Sequence, residues 1–390
     1  MSTAPSTPAG RPSRTAIALR SFSSQWFLVP QGTGIIALIL HQLEYQFPGL
    51  NIISYLFWLS TVVLLLVAVA AYVVRCVRFH SHVLHALRYE AGEVDCLASI
   101  SISFTSVIQM IAIVLVDSWG HGWGTAAYLL WWINAGLAVV AVLAIPFVFT
   151  SLYPPGVSHL SPATQLPLIA ALTAAAGAGS LCQYAQLSPG AQVPAILVSY
   201  LLLGAALPLS FGLDVVFWTR LLEGSAPSRP LAFQDMILCG PWGQGSFALQ
   251  GLGQAVLRGS FASYASGVFI NAAAAAPVAY ASMFAGFLAW GMGTIWWAFA
   301  TASIVHAYVD HWPPKRLAFG LPAWSLVFPW VSTMELPPSY CCHATSCKKA
   351  GHGSRLTVAR GCIRTPLSSW ASCSTRRLSG YGRRFSPLSW

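Results

Sequence analysis

Eight apolar runs follow one another along the chain, at about 26–43, 53–77, 97–116, 126–149, 165–184, 193–217, 234–256 and 278–308, with polar or Gly/Pro-rich breaks between them. A helix needs roughly 20 apolar residues to cross a hydrocarbon core of about 30 Å, and each run is near that length. A ninth run starts near Phe319 and reaches Val331 before the character of the sequence changes. Lipid offers backbone N–H and C=O groups no partners, so such runs fold as helices that satisfy themselves internally. A water-soluble globule is excluded by the coat it would need: 8% of the 390 residues are charged, against 56% apolar. The expectation is an all-α polytopic membrane protein, embedded in a lipid bilayer, with eight full spans and a partial ninth.

The formal net charge of +10 does not describe this body. Residues 1–340 carry 11 Lys or Arg against 10 Asp or Glu, whereas residues 341–390 carry nine Lys or Arg and no acid. No nucleic-acid partner is therefore expected. With the N-terminus placed in the cytoplasm, Arg11, Arg14, Arg20, Arg75, Arg78, Arg88, Arg220, Arg229, Lys315 and Arg316 all face inward and only Arg258 faces outward, the bias that orients membrane proteins. A missed or invented span would scatter these charges over both sides. Residues 1–24, rich in Ser, Thr, Pro and Ala, lack the apolar core of a cleavable signal and are expected to form a disordered cytoplasmic arm.

Gly and Pro mark the odd-numbered runs. The first carries Pro30, Gly32 and Gly34, the fifth Pro167, Gly177 and Gly179, the seventh Gly240, Pro241, Gly243 and Gly245, and the ninth Gly320, Pro322 and Pro329. Two runs break the pattern: the third has neither residue, and the sixth has Gly204, Pro208 and Gly212. Interrupted helices expose backbone dipoles and are tolerated where they are buried or line a water-filled path. The expected arrangement is an inner ring of odd helices inside an outer ring of even ones, although small residues also serve plain close packing. The candidate pore-lining residues are Pro30, Gln31, Gly32, Thr33, Gly34, Gln109, Thr173, Gly240, Pro241, Gly243, Gln244 and Gly245. Ser103, Thr105 and Ser246 are further polar candidates, and an interhelical hydrogen bond is the competing role for each polar residue.

Glu44, Asp117, Asp214, Asp235 and Asp310 fall at or near the ends of runs, and no Lys or Arg lies in mid-run. Intramembrane carboxylates are the usual proton relays of coupled carriers, so obligatory proton coupling is not expected. Without a fixed cation, anions would be favoured by pore width, polar side chains and the positive ends of broken helices. No nucleotide loop, catalytic carboxylate pair, Ser/His/Asp order or zinc-protease motif is present, and the run 240–245 lacks the Gly-Lys-Ser/Thr of a phosphate loop. Neither enzymatic activity nor a cofactor or metal is expected.

Three stretches resemble one family. Val29-Pro-Gln-Gly-Thr-Gly-Ile35, followed by His41 and the 45–48 segment, is similar to the first span of the tellurite-resistance and dicarboxylate transporter family, to which the plant slow anion channels belong. Cys239-Gly-Pro-Trp-Gly-Gln-Gly-Ser-Phe-Ala-Leu-Gln250 resembles the seventh span of its fungal sulfite-efflux and malate-permease branch, and Leu321-Pro-Ala-Trp-Ser-Leu-Val-Phe-Pro-Trp330 the start of the ninth. The resemblance covers roughly residues 25–330 in order and spacing. It implies a ten-helix fold of five helical hairpins around a central pore, often assembled as a homotrimer. It also implies a small anion as substrate: sulfite, exported across the plasma membrane by a uniport or channel-like route, or alternatively malate or another C4-dicarboxylate. In the family a Phe on the ninth span occludes the pore, and the matching position is Phe328. The third run lacks the family's Pro/Gly element, and no tenth helix follows the ninth.

The resulting division is an arm at 1–24, a transport domain at 25–332 and a basic Cys-rich tail at 333–390. The tail brings Cys341, Cys342, His343, Cys347, His352, Cys362 and Cys373 together with Arg, Ser and Lys. Its spacing matches no standard zinc ligand set, and its charge would be attracted to anionic lipid. An aberrant, out-of-frame end fits best, because Cys, Arg, Ser and Trp rise together while Asp and Glu vanish. On that view the chain has a rival role as a truncated product that transports nothing.

Overall fold

The computed structural model describes residues 13–43, 46–153, 156, 160–223, 229–267, 269–309 and 320–329; the tail and its Cys/His residues lie outside them. The described part of the arm contains a helix, Arg14–Ser21 (α1), where disorder was expected. Ser13 is the reason, because its Oγ accepts the Ala16 N–H at 3.2 Å and caps the first turn. Ser24 is likewise ordered and buried. After it come Leu28–Gln42 (α2), Leu50–Arg78 (α3), His80–Tyr89 (α4), Ala91–Asp95 (α5), Ser99–Met110 (α6), Val116–Trp119 (α7) and Gly122–Leu152 (α8). Leu166–Tyr184 (α9), Pro189–Leu222 (α10), Gly240–Leu257 (α11), Ser260–Tyr264 (α12) and Ala272–Val309 (α13) complete the helices.

Six helical segments are long and apolar enough to cross a membrane, by length and composition. The remaining two of the eight expected spans, 26–43 and 234–256, are helices of 15 and 18 residues entered through 3-10 turns, α2 and α11. Both are mostly buried, so protein and not lipid surrounds their glycines and glutamines.

Burial separates two layers. The central windows of 162–184 and 91–119 are 100% and 78% buried, against 22% for α3, 17% for α8, 33% for α10 and 28% for the last long helix. Position in the order of spans decides the layer, and Gly/Pro content does not. The third span, without Gly or Pro, is inner because Ser99, Ser101, Ser103, Thr105 and Ser106 give it an equally small, buried surface. The sixth span is outer, and a Cβ at Gly204 or Gly212 would meet nothing within 4 Å. Among the described residues no Pro interrupts the middle of α2, α6, α9 or α11, although the third span passes through a π-helical turn at Ile111–Leu115. Pro30, Pro167 and Pro241 sit in the first turns of α2, α9 and α11, where a missing N–H removes no helical bond.

Each inner helix is entered through a 3-10 turn: Ser24–Phe27 before α2, Cys96–Ala98 before α6, Pro162–Gln165 before α9, Arg229–Cys239 before α11 and Leu321–Leu326 before residues 327–329. None of these helices has a side-chain cap. Alternating spans place their five N-termini on one face of the bundle. A buried ion pair ties two of them there. Arg75 of α3 bonds Glu93 of α5, whose other carboxylate oxygen accepts the Ser24 N–H at 3.1 Å, while Ser24 Oγ donates to the Glu93 carbonyl at 2.7 Å. Glu93 falls between the second and third apolar runs of the sequence.

Candidate anion pathway

The inner elements converge on one apolar cluster: Leu28, Ile35 and Leu38 from α2, Ile102 and Met110 from α6, Leu166, Ile169 and Ala170 from α9, Ile237, and Phe328. Phe328 is fully buried within it. Pro329, next in the chain, closes on α11, because a Cβ at Gly240 would stand 3.6 Å from Pro329 Cβ and 2.9 Å from Ile169 Cδ1. The centre of the bundle at this level is filled by side chains, with Phe328 among them.

Helical period sorts the sequence-predicted residues around this centre. In α2, Thr33 accepts from Thr61 Oγ1 of the outer helix α3 at 2.9 Å and donates to the carbonyls of Val29 and Pro30. Gln31, two residues earlier and so roughly 200° around the helix, shares the side of Leu28, Ile35 and Leu38. It is 1% exposed, and its Oε1 has no hydrogen-bond partner. Gly34 faces Ser106 and Thr61, whose atoms lie 2.8 and 3.2 Å from a Cβ built there, and Gly32 faces Trp324 and Val327 at 3.2 and 3.3 Å. Pro30 is simply buried in the first turn.

In α11 the same arithmetic applies. Gly240 faces Ile169 and Pro329, whereas Gly245, five residues on and turned by roughly 140°, meets Leu207 of the outer helix α10 at 2.7 Å. Gly243 offers its backbone N 3.5 Å from the Cβ position of Gly293 on α13. Thr33, Gly34, Gly243 and Gly245 thus all make contacts between helices. Gln244 is 2% exposed, one turn beyond Gly240 on its side of the helix, and Pro241 is buried at the helix start.

Beyond the apolar cluster, Gln109 of α6 donates from Nε2 to Ser180 Oγ of α9 at 2.9 Å. Thr173, on the same side of α9 as Ile169 and Ser180, is 2% exposed and returns its hydroxyl to the Ile169 carbonyl at 2.7 Å. Thr105 accepts from Asn134 Nδ2 of the outer helix α8 at 2.7 Å, Ser103 donates to the Ser99 carbonyl, and Ser246 accepts from Gln250. Each of these three makes a hydrogen bond within or between helices.

Sequence reasoning also missed a buried carboxyl group that gathers several helices. Asp214, placed near a span end, is 2% exposed and accepts three N–H groups: Gln165 Nε2 at 2.9 Å on Oδ1, and Trp242 Nε1 at 2.6 Å and Trp296 Nε1 at 2.9 Å on Oδ2. Its only advance signal was an acid in an apolar run that also held Gly and Pro.

A buried layer of helices inside an exposed apolar one, with six segments long and apolar enough to cross a bilayer, defines an all-α polytopic membrane protein. The sequence profile of the voltage-dependent anion channel family matches residues 21–335, and the chain belongs to that family. It is a transmembrane anion transporter. It is similar to the sulfite efflux pump SSU1 of Arthroderma benhamiae and of Trichophyton rubrum, 29% identical over 318 residues in each case, and to that of Arthroderma otae, 28% identical over 322 residues. Each alignment covers 80% of this chain and 80% of the relative.

Proposed function

We propose that the chain exports sulfite across the plasma membrane, through an axis lined by Gln31, Gln109, Thr173, Gly240 and Gln244 and closed by Phe328. The observation that carries the reading is the similarity to three sulfite efflux pumps over 80% of their length. With the N-terminus in the cytoplasm, as the Lys and Arg distribution supports, the uncapped N-termini of the inner helices face the cell interior. Five such ends carry partial positive charge and draw anions toward the axis without a buried Lys or Arg. Buried amides and hydroxyls then replace part of the anion's hydration, and Gln31 and Gln109 bring N–H donors. A monovalent anion leaving a cell that is negative inside gains about 2.3 kcal/mol per 100 mV, enough for roughly a fifty-fold gradient, so a uniport or channel route suffices. The transport unit of this reading extends over residues 25–332.

Labelled sulfite and labelled malate, loaded in turn into proteoliposomes holding the full chain, test this. Sulfite release that follows an imposed potential is the expected result. Malate release without sulfite release overturns it.

A further inference from the structure

We propose that Asp214 is a positioning residue that holds the N-terminal end of α11 against the outer layer and thereby keeps the plug at Phe328 seated. The proposal rests on the reading of Phe328 as the gate.

The network is unusual in what it joins. An indole N–H and an amide N–H can only donate, so Asp214 serves three elements as their common acceptor. Gln165 lies in the 3-10 turn that leads into α9 and is itself fixed by a second bond from Nε2 to the Ser210 carbonyl at 3.1 Å. Trp242 belongs to the first turn of α11, and Trp296 to α13. One carboxylate of an outer helix therefore ties the starts of two inner helices to two outer ones. Three donors converging on one buried carboxyl group fix its position, because each hydrogen bond is directional.

The same turn of α11 touches the plug segment. Three residues before Trp242, Cys239 Sγ lies 3.5 Å from the Pro329 carbonyl oxygen, and Gly240 abuts Pro329 and Ile169. A shift of this turn away from α10 would move Gly240 off Pro329, the residue that follows Phe328. The path from Asp214 to Phe328 thus runs through Trp242, Gly240 and Pro329, all on described contacts. Asp214 lies on the outer helix α10, and Trp242 is turned by roughly 200° from Gly240, so the clamp can be weakened without removing a pathway residue.

Trp242→Phe removes the indole donor and keeps an aromatic ring, and Asp214→Asn keeps the size while weakening the acceptor, a second variant should the first fail to reach the membrane. Both are made in the full chain, with Phe328 and with Phe328→Ala. Two quantities are read: anion conductance per reconstituted protein, and amide hydrogen exchange of residues 239–246. The expected result is exchange raised about tenfold in either background, the scale of one lost hydrogen bond. Conductance should rise about tenfold with Phe328 present and no further once Phe328→Ala has been made. Unchanged exchange overturns the hold on α11. Raised exchange with unchanged conductance, or with the same fold-change in both backgrounds, overturns the coupling to the plug. A Phe328→Ala variant that conducts no better than wild type overturns the gate itself, and exchange then judges the clamp separately.

Discussion

Gly179 and Gly251 bring α9 and α11 together backbone to backbone: a Cβ at residue 179 would lie 3.3 Å from both Cα and C of Gly251. Neither neighbour can swing aside, because both atoms belong to the main chain of a buried helix. Gly179→Ala should therefore overpack the interface and destabilise by about 1–3 kcal/mol. Gly204→Ala, whose new methyl meets nothing within 4 Å, should be neutral or gain about 0.5–1 kcal/mol from helix propensity. Melting temperatures of the two variants in one detergent decide; equal shifts would remove the close-approach argument.

Gly245 separates packing from permeation. Its Cβ would sit 2.7 Å from Leu207 Cδ2, the end of a flexible side chain on α10. Gly245→Val is expected to lower the amount of folded protein, by overpacking of about 1–3 kcal/mol, while each surviving transporter conducts normally. Gly240→Val intrudes on Ile169 and should cut flux per protein. If both variants lose flux per protein equally, the angular assignment of α11 is wrong.

Arg75 and Glu93 form a pair that is worth little by its presence and much by its breakage. Both side chains are buried, at 4% and 2% exposure, and the Arg75 guanidinium carbon lies 5.6 Å from the centre of the Tyr72 ring. Arg75→Leu leaves the Glu93 carboxylate without its counter-charge and should cost about 3–5 kcal/mol. Adding Glu93→Leu removes the stranded charge and should recover a large part of that loss. Surface expression of the two single variants and the double variant measures the cycle, and a double variant no better than the worse single one contradicts it.

Layering was readable before the structure because burial in a bundle leaves a chemical trace. An inner helix touches protein on all sides and needs small residues, while an outer helix such as α8 can expose Leu143 and Phe147 to lipid. The third and sixth runs break the Gly/Pro pattern and still take the layers that their order gives them. Small size, and not Gly or Pro as such, is what the inner position demands, and serines supply it in α6. The facing of single residues was not readable. It depends on where each helix begins, and the 3-10 turns that set those starts have no periodic signature. The Asp214 network was hidden further, since residues 165, 214, 242 and 296 are brought together only by the tertiary fold.

In the proposed pathway, Phe328 is the residue on which closure depends most directly. It has no exposed surface, and it shares its cluster with side chains from α2, α6, α9 and the turn before α11. A ring in that position excludes water from the constriction, and its two side-chain torsions are fixed by neighbours on every side. Replacing it by alanine removes the bulk and leaves a cavity in an otherwise filled centre. Two outcomes then compete. If the surrounding helices hold their places, the cavity joins the polar regions marked by Gln31 and Gln109, and anion conductance per protein rises. Should they collapse instead, the change behaves as a core truncation, costs about 3–5 kcal/mol and lowers expression without raising conductance. The first is expected, because the inner helices are braced from outside by the Asp214 network and the Thr33–Thr61 bond. Phe147→Ala on α8, where the ring is 68% exposed, is the control and should leave conductance per surface-expressed protein unchanged. Conductance that fails to rise for Phe328→Ala, at normal surface density, removes the gate assignment.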